Sequence, residues 1–375
     1  HISSASWPIY ISLQKDGILF KMRRTQDLPD KESATMFFQD CKLAHQAQIT
    51  GISHSVKEIL PPDLLDLTQL QKEANIRYGY TASEVYDIAQ SLYEKKLISY
   101  PRTSSRYLTE DVFDSLSPIM TRLLSWELFP VAKGTGGIDI SSLSRHVISA
   151  EKANVHHAII ITGIRPGNMS EKEMQVYRLV AGRMLEVFMA PCRIETTNVE
   201  AVCAAQHFKA EQTRIIEAGW HDVFMHSDMI PTSGYSVKEL PEVEKGDTLN
   251  VCGCNMVHKK QLPVDPFTDA ELVEYMELNG LGTVSSRTNI IRTLVNRKYI
   301  RYSGKYIVPT PKGMFTYETI RGKKIADTSL TADWEKQLTG LESGMITGQD
   351  FLNRIRTLAK EMTDDIFNTY STKEE

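Results

Sequence analysis

The 375-residue chain reads as an α+β multidomain protein. It is expected to comprise a discontinuous β-rich domain over 1–62 and 188–264, a mainly helical domain over 63–187, and a C-terminal winged-helix and helical domain over 265–375. Three observations predict this. Strand-like stretches occupy both flanks of a helical middle, helical periodicity dominates that middle, and after Pro266 a helix, a tight turn, a second helix and a short hairpin follow in order.

In the first stretch, WPIYISLQ and GILFKMRR flank the hairpin turn Lys15-Asp16-Gly17. A short helix is expected near DKESATMFFQDC and another strand at AQITGISHSVKEIL, which Pro61-Pro62 ends. TASEVYDIAQSLYEKK places Val85, Ile88, Ala89, Leu92 and Tyr93 at helical spacing, with Thr81 as N-cap and Glu84 in the capping-box position. Strand character returns at CRIETTNVEAVCAAQHFKAEQT and GDTLNVCGCNMV and runs to about Pro263. Because the two strand-rich stretches flank the helical one, they are expected to pair into one domain. DAELVEYMELN, the Gly280-Leu281-Gly282 turn and SSRTNIIRTLVNRKY form the helical part of the winged helix, with Ile290, Ile291, Leu294 and Val295 toward a core. IRYSGKYIVPT supplies the wing around Ser303-Gly304, and helix continues through Phe367.

The composition, 41% hydrophobic and 24% charged, is that of a soluble globular protein. No apolar run approaches a membrane span and no signal pattern is visible, so a cytoplasmic location is expected. Five scattered cysteines argue against a disulfide framework. Cys252-Gly-Cys254 with His258 is a weak metal pattern, better explained by alternation along a strand. The net charge of −4 hides a local asymmetry: Ser285 to Tyr317 holds seven cations and no Asp or Glu. Average composition would place about four of each sign in such a window, so this winged helix is suited to approach phosphates.

Chemistry concentrates in LISYPRTSSRYL, where Tyr100 follows a helix, Pro101 blocks helical continuation, and no acid occurs from Lys95 to Thr109. Arg102 stands two residues on, a cation able to hold phosphate oxygens bidentately. Most tyrosines are packing residues, and the setting alone suggests rather than establishes a nucleophile.

Four motifs in order change that balance: the run from LDLTQLQKEANIRYGYTASEV to LISYPRTSSRYL, then VHHAIIITG, then SEKEMQVYRLVAGRMLEVFMAPCRIETTNVEA, then FTDAELVEYMELNGLGTVSSRTNIIRTLVNRKYI. Together they closely resemble the type IA DNA topoisomerases. The topoisomerase III branch fits best, through YPR at the tyrosine and a double histidine before AII. The resemblance implies an enzyme that cuts one DNA strand through a 5′-phosphotyrosine, passes another strand and reseals. It further implies that the strand-rich domain is a β-rich arch, with the tyrosine domain at its far end and the winged helix in the base of a ring.

Carried over by position, the resemblance makes Tyr100 the nucleophile, Arg102 the ligand of the scissile phosphate and His156 an assisting group. Gln90, Glu94, Ser99, Lys152, His157, Thr283 and Arg287 become candidate DNA contacts, although surface helix, cap or salt-bridge roles are the ordinary readings of such residues. Ser99 stands where the family usually has threonine, Ser104 where it has aspartate, Ile161 where it has proline, and Val284-Ser285-Ser286 where it often has Pro-Ala or Pro-Ser-Thr.

Nothing in residues 1–60 matches the catalytic glutamate or the DxDxE cluster of the family's Toprim domain, and the chain starts at His1 rather than Met. The expectation is a monomeric fragment whose partners are single-stranded DNA and its own missing Toprim domain. Mg2+ would be bound by that domain, with no metal expected in this chain. The fragment alone should bind single-stranded DNA and be inactive. Two other classes compete: a tyrosine recombinase, which normally carries its nucleophile near the C-terminus, and a non-catalytic winged-helix module, which leaves Tyr100 unexplained.

Overall fold

Asp16 and Gly17 both take positive φ, 51° and 82°, so a two-residue turn joins β1 (Ile9–Lys15) to β2 (Ile18–Arg24) in the twist that favours a tight hairpin. The computed structural model describes residues 6–126, 128–129, 143–153, 156–224, 233–258 and 265–371. The chain divides into two units, the first being His1–Pro62, Phe129–Ile138 and Leu185–Asp265, and the second Asp63–Leu128, Asp139–Met184 and Pro266–Glu375.

In the first unit, α1 (Lys31–Leu43) begins at Asp30, whose carboxylate accepts from the Ser33 N–H. It is followed by β3 (Gln46–Ile59), β4 (Cys192–Cys203), β5 (Gln206–Glu217) and β6 (Thr248–Met256). The strands close into a barrel of order β1-β2-β5-β4-β3-β6, so both strand-rich stretches contribute to one sheet. Closure is the feature the sequence does not announce. It rests on inward alternation: Ile9, Ile11 and Leu13 of β1 meet Phe20, Met22, Ile49, Val199 and Phe208 in one apolar interior. β3 and β4 stay paired to Ile59↔Cys192, and the Trp220 indole N–H donates to the Ile59 carbonyl at 2.9 Å. The expected strand end near Pro263 lies outside the described residues.

In the second unit, α2 (Leu67–Tyr78) is capped by Asp66 and ends at Gly79, which takes φ 71°. α3 (Ala82–Glu94) has the Thr81–Glu84 capping box. It stops at the Lys95-Lys96 turn, where Lys96 has φ 60°, rather than at Pro101. α4 (Glu110–Asp114), α5 (Leu116–Ser125) and α6 (Glu171–Glu186) follow. The buried Arg183 of α6 binds the Glu73 carboxylate at 2.7 Å and the Asp63 carbonyl at 2.9 Å, tying α6 to α2.

The winged helix comprises α7 (Asp269–Leu278), α8 (Val284–Asn296), β7 (Ile300–Ser303) and β8 (Tyr306–Pro309), whose turn centres on Gly304 and Lys305. α9 (Pro311–Ile320), α10 (Thr328–Glu342) and α11 (Gly348–Ser371) complete the chain. The sequence reading separates 63–187 from 265–375, whereas the structure gathers most of both into one unit. Buried polar contacts account for this. Gln71 donates at 2.9 Å both to the Ala82 carbonyl and to Thr288 Oγ1, and the buried Asp269 accepts from the Ala82 N–H and, at 2.9 Å, from the Tyr302 hydroxyl. Val273, Met276, Ile291 and Ile307 pack with Ala82 in a shared core. Ile290 is not part of that core, being 39% exposed. Among the described residues, no helix is long and apolar enough to cross a membrane.

α6 is also fastened to α3. Glu173 accepts from Lys95 Nζ at 2.5 Å and Ser91 Oγ at 2.7 Å, and from the Ser170 N–H at 2.9 Å. These bonds, the Lys95 ammonium foremost, lower its pKa to about 2. A carboxylate with a depressed folded pKa stabilises above its unfolded value and loses that contribution as pH falls toward the folded one. Glu173→Gln should therefore lower stability at neutral pH by about 1–2 kcal/mol. Urea midpoints of the two proteins should converge as pH falls from the ordinary carboxylate range toward about 2.

Candidate active site around Tyr100

After α3 the backbone runs extended and is clamped by a distant segment. Ser99 N–H donates to the Ile160 carbonyl at 2.8 Å, Thr162 N–H to the Leu97 carbonyl at 3.1 Å, and Ile98 bridges Ile161. The Ser99 hydroxyl accepts from the Ile160 N–H at 3.0 Å and donates to the Ala158 carbonyl at 3.2 Å. Thr103 Oγ1 donates to the His156 carbonyl at 3.1 Å. This pairing sets the His156 ring beside the Tyr100 ring, with centroids 4.4 Å apart and planes tilted by 44°. Tyr100 is half-buried and His156 exposed.

Arg102 is held from α3. Its Nη2 donates to Gln90 Oε1 at 3.3 Å and its guanidinium lies 5.1 Å from the centre of the Tyr86 ring. Gln90 in turn donates to Glu94 Oε1 at 2.9 Å, which points its amide oxygen toward Arg102. Among the described residues the Arg102 Nε is buried without a hydrogen-bond partner, an unsatisfied charged donor two residues beyond the tyrosine. Arg102, Ser104 and His156 share a cleft of about 280 Å³ with Thr283, Val284 and Ser285 at the start of α8. The first turn of α8 carries no acid, so no carboxylate there offsets the partial positive charge of its N-terminus.

The remaining candidates divide by position. Thr283 lines the cleft, while Gln90 and Glu94 form the support of Arg102. Ser99 is occupied with the backbone of 158–160. Lys152 lies over the Tyr107 ring at 4.9 Å, and His157 Nδ1 is 2.7 Å from the Ala158 carbonyl oxygen, so neither is brought to the cleft. Arg287 is buried, with Nη1 3.2 Å from Glu277 Oε1 and 3.5 Å from Thr68 Oγ1. Its guanidinium serves the packing of α8 on its neighbours.

Two aromatic neighbours escape the sequence reading. Tyr93, read as a core-facing residue, is 40% exposed and meets Tyr100 edge-on at 5.5 Å between ring centres. Tyr86 precedes Gln90 and Glu94 at four-residue intervals, and that single-face spacing is the signal that marks it.

A family model for DNA topoisomerase matches residues 1–353. The chain belongs to the type IA DNA topoisomerase family. DNA topoisomerase 3 of Bacillus licheniformis is 31% identical over 344 residues, covering 85% of this chain and 47% of that protein. DNA topoisomerase 3 of Bacillus subtilis is 30% identical over 352 residues, covering 87% and 48%. The chain thus spans about half the length of these relatives. Topoisomerase I from Thermotoga maritima shares the fold with a TM-score of 0.71 at 22% identity, over 95% of this chain and 58% of that one.

Two outcomes follow from the geometry. Ser99→Ala should lower stability by about 1 kcal/mol and speed hydrogen exchange at the Ile160 amide, whose acceptor is removed. Arg287→Ala leaves Glu277 without its partner and should destabilise by about 3 kcal/mol in denaturant titration.

Proposed function

We propose that this chain carries the nucleophile and strand-holding half of a topoisomerase III-like enzyme, in which Tyr100 cleaves one DNA strand. The observation that supports it is the contact of the Tyr100 ring with the His156 ring, together with a cleft that His156 and Arg102 line and that has no acid among its described lining residues. Tyr100 Oη attacks phosphorus, the bond to the 3′ oxygen breaks, and the phosphate remains on the 5′ end as a phosphotyrosine. Religation is the reverse attack by the 3′ hydroxyl. Arg102 neutralises charge gathering on the phosphate oxygens, and the α8 N-terminus adds partial positive charge on the far wall of the cleft. His156 orients the phenol or contacts the phosphate from the exposed side.

Proton transfer and magnesium binding are assigned to a Toprim domain outside these residues. Among the described residues no group of three or more His, Cys, Asp or Glu is arranged to hold a metal ion. The strand bound is single-stranded, with affinity falling as salt rises because phosphate contacts release counterions. A cytoplasmic, monomeric protein is part of the same proposal.

Joined to its Toprim domain, the chain should form a covalent adduct on a DNA 5′ end, seen as a gel-shifted protein–oligonucleotide species. Tyr100→Phe should abolish it, because the ring stays and the attacking oxygen goes. Adduct on a 3′ end would instead favour recombinase-like chemistry. The 375-residue chain alone should bind single-stranded DNA without cleaving it. Magnesium-dependent relaxation by the chain alone would overturn the half-enzyme reading.

A further inference from the structure

Beside the cleft, and sharing Arg102 and Ser285 with it, a groove of about 520 Å³ runs between α3 and α8. Its apolar lining is Tyr86, Ile290 and Leu294. Ile290 is 39% exposed, on a helix whose inward face is already filled by Ile291 and Val295. Its polar lining is Arg102, Ser286 and a stripe of α8, Ser285, Asn289 and Thr293, spaced four residues apart. No acidic side chain lines it among the described residues. The Asn289 amide is exposed and makes only a 3.5 Å approach to the Ser285 carbonyl, so a donor and an acceptor stand side by side at the groove.

We infer that this groove seats one unstacked base of the single strand whose phosphate lies on Arg102. The inference rests on the strand-binding reading above. Three features select a nucleobase. The groove continues directly from the phosphate cleft through Arg102. On α8 an apolar stripe, Ile290 and Leu294, runs beside a polar one, Asn289 and Thr293, with the Tyr86 ring contributed by α3, which suits a planar heteroaromatic ring with a polar edge. The Arg102 guanidinium, 5.1 Å from the centre of the Tyr86 ring, lines the groove with it, and a planar guanidinium beside an aromatic ring suits stacking with a base. Asn289 then reads the edge of that base, since an amide presents one donor and one acceptor to it.

The test is fluorescence anisotropy with the full chain and a single-stranded oligonucleotide in which one abasic site is moved along the sequence. One position should weaken binding on the order of tenfold, the loss of a stacked base. Ile290→Ala and Asn289→Ala, both at exposed positions, should erase that dip while leaving the dependence of affinity on salt unchanged. Arg102→Ala should weaken every oligonucleotide alike and flatten the salt dependence. Asn289→Asp keeps the size, removes the amide donor and should change which base is preferred at the sensitive position. A uniform abasic profile in the unmodified chain, or a dip that survives both Ile290→Ala and Asn289→Ala, overturns the base-seat inference alone. Failure of the unmodified strand to bind overturns the strand-binding reading and this inference together.

Discussion

The short pairing of Leu97–Ser99 with Ala158–Thr162 is the constraint on which the site depends. Tyr100 and His156 are 56 positions apart, and no helix or turn relates them. What fixes their distance is a few backbone hydrogen bonds, reinforced where the Ser99 hydroxyl both accepts from Ile160 and donates to Ala158. These bonds are shielded by buried Leu97, Ile98, Ile159 and Ile161, so exchange with water does not compete with them. The residues next to Tyr100 and His156 are consequently held by main chain, which has no rotamers to lose. A serine suffices where a larger hydroxyl residue would add a methyl group without adding a bond.

A second layer of buried polar contacts joins the tyrosine region to the winged helix. Asp269 sits at the start of α7 yet caps the start of α3 and holds Tyr302 of the wing. Burial raises its pKa, and the hydrogen bonds from Ala82 and Tyr302 oppose that shift. Arg292 grips Asp87 through both carboxylate oxygens, at 2.9 and 2.8 Å, and Ser83 at 2.7 Å. Of the seven cations in the acid-free window, Arg287 and Arg292 are thus spent on acids of α7 and α3. Arg297, Lys298, Arg301 and Lys305 remain on the surface. A basic run in sequence is therefore partly a packing device, and a chain with net charge −4 can still present a locally positive wing.

Local elements were legible wherever short-range physics decides them. The Asp16-Gly17 turn, the Thr81–Glu84 capping box and the helix–turn–helix–hairpin order all follow from residue types at fixed offsets. What the sequence leaves open are the features set by tertiary partners. Barrel closure depends on register between strands far apart in the chain, and α3 ends at Glu94 because the backbone turns at Lys95-Lys96 before Pro101 can act. The same limit governs the site. Spacing shows that Tyr86, Gln90 and Glu94 share a helix face, but not that Arg102 folds back onto it. Ile290 and Ile291 are equally apolar in sequence, and only the packing of α8 decides which one is inside.

The choice of arginine at position 102 follows from this arrangement. The side chain must satisfy Gln90, lie against Tyr86 and still line the cleft. A lysine ammonium is a point charge on a flexible stem, and it could not stack on the ring while presenting separate donors in fixed directions. The planar guanidinium does all three at once. Its orientation is set through Glu94 and Gln90, so in the proposed strand-cleaving role the charge is aligned before any strand arrives. Preorganisation of that kind lowers the reorganisation needed as charge develops on the phosphate oxygens. It also explains why α3 must be rigid up to Glu94: a helix that frayed one turn early would lose the Glu94 acceptor and, with it, the direction of Arg102.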